Sequence, residues 1–373
     1  MFSSRLDWNI GANPQSTLLD RKRREGAAIF DLTESNPTRA GFDYPLELMV
    51  SLADPAAMRY DPSPRGFAPA REAVSHYYAE RGREVTPVQI LLTASTSEAY
   101  SYLFKLLADP GDEILTPRPS YPLFEFLAAL ESVRVRQYPL RYDGVWHIDF
   151  AALESAVTAR TRAIVVVNPN NPTGSFLKRD EWDRLAALGL PILADEVFSD
   201  YAFDTAAAAP EHVLIFSMSG LSKIAGLPQM KLGWIAANGP GQEAALERLE
   251  LIADTYLSVS TPVQIALPRL LISSGTVRAQ IGERTRANLD GLRAAARGSA
   301  LEVLNVEGGW YAVVRVPSTR TEEEWSLHLL AERDVLVQPG FFFDFETEAF
   351  LVLSLLTPPA TFDEGLRRIL ASL

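Results

Sequence analysis

The chain has 373 residues, 35 basic against 47 acidic, hence a net charge of −12, with 47% hydrophobic and 22% charged residues. This length exceeds what one hydrophobic core ordinarily supports and implies a large and a smaller domain of ordinary soluble composition. The acidic balance speaks against nucleic acid as a partner, the lack of cysteine excludes disulfides and thiolate metal sites, and four scattered histidines (His76, His147, His212, His328) make no metal site.

The first residues contain no apolar run of signal-peptide length and no later segment has the apolar length of a membrane span, so the expected location is cytoplasmic, with no membrane partner. No DNA-binding segment is read in the first 40 residues. The cluster Arg21-Lys22-Arg23-Arg24, followed by Glu25, reads as the solvated face of a helix. From residue 90 onward, short β-branched runs alternate with stretches of helical period. Strands are expected at 90–93, 113–116, 133–138 and 163–167, with helices at 97–108, 121–131 and 150–159 between them. Strands at 191–195, 213–216 and 232–236 complete the set. Such alternation predicts crossover units and a mainly parallel sheet with helices on both faces, and ligands of such sheets lie beyond the strand ends. A polar-rich helix at 276–297 leads into strands at 301–306, 311–316, 335–337 and 350–355, with amphipathic helices at 322–333 and 361–373.

Three runs carry chemistry, in chain order: Asn168-Pro-Asn-Asn-Pro-Thr-Gly174, Ala194-Asp-Glu-Val-Phe198, and the stretch from Ser219 to Trp234 that contains Lys223. A lysine in a loop between apolar segments, an aspartate at the end of another and an asparagine before a tight turn can together hold an aldehyde cofactor. The lysine forms an imine with the aldehyde, and the carboxylate keeps the cofactor's ring nitrogen protonated so that it withdraws electrons. Pyridoxal phosphate is the cofactor this suggests. An aspartate closing the apolar run 191–194 is a signal in itself, because a buried carboxylate is costly unless paired. Ser95-Thr96-Ser97, between a strand and a helix, offers free backbone N–H groups to a phosphate, although a plain N-cap would use the same residues.

With Asn171-Pro-Thr-Gly174, Asp195-Glu196, Ser222-Lys223, Lys231 eight positions after the lysine, and Gly233-Trp234 in that order, the chain resembles the class I/II aminotransferases of the aspartate aminotransferase fold type over nearly its whole length. The resemblance implies an α/β fold: a large domain, 45–275, with a mainly parallel sheet of seven-stranded type sandwiched by helices, and a smaller α/β domain formed by the two chain ends, 1–44 and 276–373. It implies Lys223 as the imine partner of pyridoxal 5'-phosphate and later the base that moves a proton between substrate and cofactor. Asp195 then faces the ring nitrogen, Asn171 the phenolic oxygen and Tyr121 the ring face, while Ser95, Thr96, Ser97, Ser222 and Lys231 surround the phosphate. Tyr60 resembles the tyrosine that reaches the neighbouring subunit's phosphate, which implies a homodimer with shared active sites. The implied reaction moves an amino group between an amino acid donor and a 2-oxo acid. A pyridoxal phosphate lyase or synthase of the same fold is the alternative, since it would share Lys223, Asp195 and Asn171.

The chain departs from this pattern in three places. Lys231 stands where arginine is usual, which turns a bidentate fork into a point charge. Phe198 replaces a tyrosine that donates to the phenolic oxygen, with Tyr201 as a candidate substitute. Val352, two residues before Ser354, takes the place of the arginine that clamps the substrate carboxylate. Arg65, Arg118 and Arg315 are the candidate replacements, and the run Phe341-Phe-Phe-Asp-Phe345 is expected either to line an apolar substrate pocket or to pack in the core. Weak binding of glutamate and aspartate and a preference for larger or apolar substrates follow as expectations.

Overall fold

The computed structural model describes residues 2–6, 8, 11–203 and 206–373. After a short strand β1 (Phe30–Asp31), eight strands build one sheet: β2 (Ile90–Thr93), β3 (Glu113–Arg118), β4 (Arg134–Tyr142), β5 (Trp146–Ile148), β6 (Thr161–Val167), β7 (Ile192–Asp195), β8 (Ile215–Gly220) and β9 (Gly233–Asn238). Their spatial order is β2-β9-β8-β7-β6-β3-β4-β5. From β4 through β8 neighbours run parallel, whereas β9 is antiparallel to both β8 and β2, and β5 to β4.

Both faces of this sheet are covered, which is why its central strands read as continuous apolar runs. Val165, Leu193, Phe216 and Met218 pack with Leu103 and Phe104 of the helix Thr96–Leu107. On the other face, Ile164, Val166, Ile192, Ala194 and Ile215 meet Trp182 and Leu185 of the helix Arg179–Ala187.

The sheet has one strand more than the seven read from sequence. The hairpin strand β5 pairs Ile148 with Leu140, and its three residues are too few to show a period. The helix expected at 121–131 spans Phe124–Leu130, leaving Tyr121 outside it. A residue before proline is disfavoured in helical conformation, and Pro122 follows Tyr121. Within the basic cluster, Lys22 is not simply solvated: on the helix Pro14–Arg24 its Nζ lies 2.6 Å from Asp334 and donates to the carbonyls of Leu330 at 2.8 Å and Ala331 at 2.6 Å.

The C-terminal strands are β10 (Glu302–Val303), β11 (Tyr311–Arg315), β12 (Val335–Leu336), β13 (Gln338–Pro339) and β14 (Phe350–Ser354). Four of them form an antiparallel sheet, β10-β11-β14-β13, while β12 pairs in parallel with β1 and so ties the N-terminal segment to this region. The strand expected at 301–306 stops at Val303 because the chain then crosses toward the large sheet, where Glu307 N–H donates to the Gly174 carbonyl at 3.1 Å. Leu351, Leu353 and Leu355 pack beneath the helices Gly275–Ala296, Glu322–Arg333 and Pro359–Leu370 through Leu292, Trp325 and Phe362. No helix among the described residues is long and apolar enough to cross a membrane.

Candidate active site

Strands β6, β7 and β8 end side by side, with Val167, Asp195 and Met218 in register, so the segments leaving them converge on one edge of the sheet. A cavity of about 280 Å³ opens there. Its wall includes Ser95, Thr96, Ser97, Tyr121, Asn171, Asp195, Ser222, Lys223 and Lys231, with Ser35, Phe124, Phe198 and Tyr311 alongside. Of the residues that the sequence assigned to the cofactor, Tyr60 alone lies elsewhere, 74% exposed on the loop before the helix Ala68–Ala79.

Alternation along an extended chain sends Asp195 and Glu196 to opposite faces. Glu196 pairs with Arg83 at 2.5 Å and accepts from Ser217 at 3.0 Å, away from the cavity. Asp195 turns into the cavity, where Oδ2 accepts from the Tyr100 hydroxyl at 3.0 Å and Oδ1 from the Val197 N–H at 3.2 Å. Burial outweighs these donors and pushes its carboxyl up to about 6. A carboxylate held in this way gains most from a cationic N–H partner. Tyr100 is a partner of Asp195 that sequence reading missed. Its signal was a phenol on the apolar face of a helix beside Ala99 and Leu103, since a buried tyrosine hydroxyl requires an acceptor.

Lys223 lies on the short helix Leu221–Ile224 that follows β8, its Nζ 5.1 Å from the ring centroid of Trp310 and 5.5 Å from that of Phe198. Burial among these rings lowers its pKa to about 8, against a smaller opposing pull from Asp195. The neutral amine is the nucleophile, and it forms in quantity near this pH instead of the usual lysine range. Covalent capture of pyridoxal phosphate by the ligand-free protein should therefore speed up with rising pH and level off above about 8. A rate still climbing through pH 10, measured by stopped-flow absorbance, would contradict this.

The phosphate-binding expectation falls on the first turn of the helix Thr96–Leu107. Ser95 is its N-cap and accepts from Glu98 N–H at 3.2 Å, while the N–H groups of Thr96 and Ser97 have no acceptor within the helix. Two glycines draw Ser222 and Lys231 to the same end. A Cβ on Gly220 would stand 2.8 Å from the Gly233 Cα, and one on Gly233 would stand 3.0 Å from the Ser219 carbonyl oxygen and 3.2 Å from the Ser95 carbonyl carbon. Only glycine permits β8 and β9 to close against the Ser95 turn. Lys231 itself has φ +49°, an unusual conformation for a side-chain-bearing residue, and its side chain is exposed.

Asn171, on the wall of the same cavity, enters the turn that ends at Gly174. Gly174 has φ +70°, and a Cβ there would meet the Gly308 carbonyl oxygen at 2.5 Å. The Asn171 Oδ1 is buried without a protein partner, as is the Ser219 Oγ beside the Lys223 helix. On the wall of this one cavity, helix N–H groups and Lys231 suit a dianionic phosphate, the Asp195 carboxylate a basic ring nitrogen, and the Asn171 amide N–H a phenolic oxygen. Pyridoxal phosphate fits the residues present.

Tyr201 does not stand in for the hydroxyl missing at Phe198, because its single proton is donated to the Lys223 carbonyl at 2.7 Å and it does not line the cavity. Phe198 itself packs edge-on against Trp310, with centroids 5.2 Å apart. Phe198→Tyr would add a donor to the phenolic oxygen and stabilise its ionised form. The holoenzyme's absorbance change with pH should then move to lower pH, and an unchanged titration would show that another group already donates there.

Val352 is fully buried in an apolar cluster with Trp146, Val313, Phe343 and Phe350. The proposed replacements are all committed elsewhere: Arg65 pairs with Glu250 at 2.6 Å, Arg118 with Glu346, and Arg315 with Glu302 at 2.7 Å. None of the three lines the cavity. Of the aromatic run, Phe343 packs into the cluster around Val352 with Phe342 and Phe345 partly buried against it, Phe341 is 45% exposed, and none of the four lines the cavity.

Residues 44–369 match the family model for aminotransferase class I and II, and the chain belongs to that family. It is a pyridoxal phosphate-dependent aminotransferase, which moves an amino group between an amino acid and a 2-oxo acid. Among curated relatives, the glutamate-pyruvate aminotransferase AlaA of Escherichia coli K12 is 32% identical, covering 72% of this chain and 70% of its own length. The S-alkyl-thiohydroximate lyase SUR1 of Arabidopsis thaliana is 33% identical but covers only 55% of this chain and 48% of its own. A solved aminotransferase structure from Escherichia coli superposes with a TM-score of 0.87 at 25% identity, over 100% of this chain and 97% of that one.

Proposed function

We propose that Lys223 is the residue that binds the cofactor aldehyde covalently and serves as proton carrier in amino-group transfer. The supporting observation is the convergence in one cavity of Lys223, Asp195, Asn171 and the open helix end at Ser95 to Ser97. When bound, pyridoxal phosphate supplies an electron sink that acidifies the bond to hydrogen at the substrate carbon bearing nitrogen. The protein's part is binding, orientation and proton handling. Thr96 and Ser97 N–H groups, the hydroxyls of Ser95 and Ser222, and the Lys231 ammonium hold the phosphate. Asp195, braced by Tyr100 and the Val197 N–H, holds a proton on the ring nitrogen. Asn171 orients the phenolic oxygen and Tyr121 covers the ring. Lys223, with its lowered pKa, would take a proton from the substrate carbon and hold it for return within the same site.

The remaining assignments belong to the same reading. The protein acts in the cytoplasm in a biosynthetic step of amino acid metabolism, as a homodimer in which Tyr60 of each subunit reaches the other's phosphate. The exposed position of Tyr60, outside its own chain's cavity, supports that assignment. The chain divides into a cofactor-binding unit at 45–275 and a smaller unit at 1–44 and 276–373, which the β1–β12 pairing supports.

Borohydride treatment of the holoenzyme followed by peptide mapping is the test. The reduced adduct is expected on the Lys223 peptide, and an adduct on another lysine would end the assignment. An amino donor alone should convert the bound cofactor to its aminated form with release of a 2-oxo acid, whereas a lyase would return the aldehyde form.

A further inference from the structure

If Lys223 and Lys231 serve the cofactor, as the reading above holds, the cavity wall has no other cation among the described residues to meet a substrate carboxylate. The strand register shows what stands there instead. Tyr311 lies opposite Ser354 and Val313 opposite Val352, so all four side chains project from one face of the β11–β14 pair. A side chain at position 352 therefore emerges one residue pair away from Tyr311. Val352 is sunk in its apolar cluster, while Tyr311 reaches the cavity wall together with Ser35.

We propose that Tyr311 and Ser35 receive the substrate carboxylate through neutral hydroxyl hydrogen bonds in place of an arginine, and that they thereby determine specificity. Both groups are held in place. The Ser354 hydroxyl donates to the Glu34 carbonyl at 2.5 Å, which fixes the chain at Ser35 beside β14. The Tyr311 ring meets Phe198 edge-on at 6.3 Å and Phe343 at 6.5 Å. Its phenol faces Ser35 and, pushed up to about 12 chiefly by burial, remains a neutral donor through the physiological range.

The consequence is chemical. A guanidinium gains much of its grip from the carboxylate's charge, whereas a hydroxyl donates to a carboxylate and to a carboxamide carbonyl with more nearly equal strength. This site should discriminate weakly between the two and draw its affinity from apolar contact with Phe124 and Phe198, which line the same cavity. The substrate class is an amino acid with an apolar or aromatic side chain.

The test uses holoenzyme and two analogues that lack an amino group and cannot react, 3-phenylpropanoate and 3-phenylpropanamide, titrated by calorimetry. Their dissociation constants should lie within about tenfold of each other, and Tyr311→Phe should weaken both by about tenfold, the value of one lost hydrogen bond. Ser35→Ala should do the same in the smaller side chain, should the tyrosine variant fold poorly. With an aromatic amino acid donor, Tyr311→Phe should raise KM by more than it lowers kcat. A thousandfold preference for the carboxylate, failure of either analogue to bind, or unchanged affinities in both variants would overturn the proposal. Whether an amino donor converts the bound cofactor is read separately on the same preparation, so a failure of the aminotransferase reading is distinguishable from a failure of the hydroxyl clamp.

Discussion

Lys223→Ala should abolish turnover while leaving a folded protein. Loss of general-base action alone costs roughly 10²–10⁴-fold, and loss of the covalent link adds to it. The fold should survive because the Lys223 side chain makes no ion pair among the described residues and the helix Leu221–Ile224 is held by Leu221 and Ile224 in the core. Removing a buried amine near two aromatic rings relieves a desolvation cost that offsets the packing lost with its methylenes, so the ligand-free variant should melt close to the ligand-free parent. Steady-state kinetics and thermal melts check both parts. Turnover within tenfold of the parent would remove Lys223 from the chemistry.

The second large effect is expected at Asp195. Removing one partner of a buried charge pair costs roughly 3–5 kcal/mol, which corresponds to about a hundredfold to several thousandfold. Asp195→Ala should lose activity on that scale, and Asp195→Glu far less. Asp195→Asn is the informative variant, because it retains an acceptor for Tyr100 and the shape of the side chain but has no charge to keep a proton on the ring nitrogen. It should fall close to the alanine variant in kcat, and parental activity in Asp195→Asn would show that the carboxylate's charge is not what matters. The ligand-free protein offers an independent check through pH. Because the carboxyl pKa is raised to about 6 from 3.8, the native state binds this proton more tightly than the unfolded chain does. That contribution to stability is complete below about pH 4 and is lost as the pH rises through about 6. Asp195→Asn should abolish this loss.

Much of the candidate site was legible because it is built from short local signals placed at strand ends. The turn at Asn171 to Gly174, the acidic pair after an apolar strand and the serine-lysine loop each sit within a few residues of a β terminus, and a parallel sheet brings such termini to one edge whatever the loop lengths. Ser95, Thr96 and Ser97 were readable for the same reason, as hydroxyl residues at a strand-to-helix junction. What escaped was side-chain partnership across long separations. Tyr100 bonds Asp195 from 95 residues away, and Arg118 meets Glu346 from 228 residues away. No local pattern encodes either contact.

By itself, the sequence determined the class of fold, the order of the chemical groups along the chain and the sheet edge on which they would meet, since strand periodicity and turn chemistry act over a few residues. Tertiary structure alone decided how each ambiguous group was used. Tyr201 could have supplied the hydroxyl lacking at Phe198, but its proton goes to the Lys223 carbonyl. Arg65, Arg118 and Arg315 could each have gripped a carboxylate, but each faces an acidic side chain of its own. Val352 could have bordered the substrate, but it lies buried among aromatic residues while Tyr311 takes the wall. The physical reason is common to these cases: a donor or a charge is committed by the nearest partner in space, and which partner is nearest depends on how strands from both ends of the chain pack together.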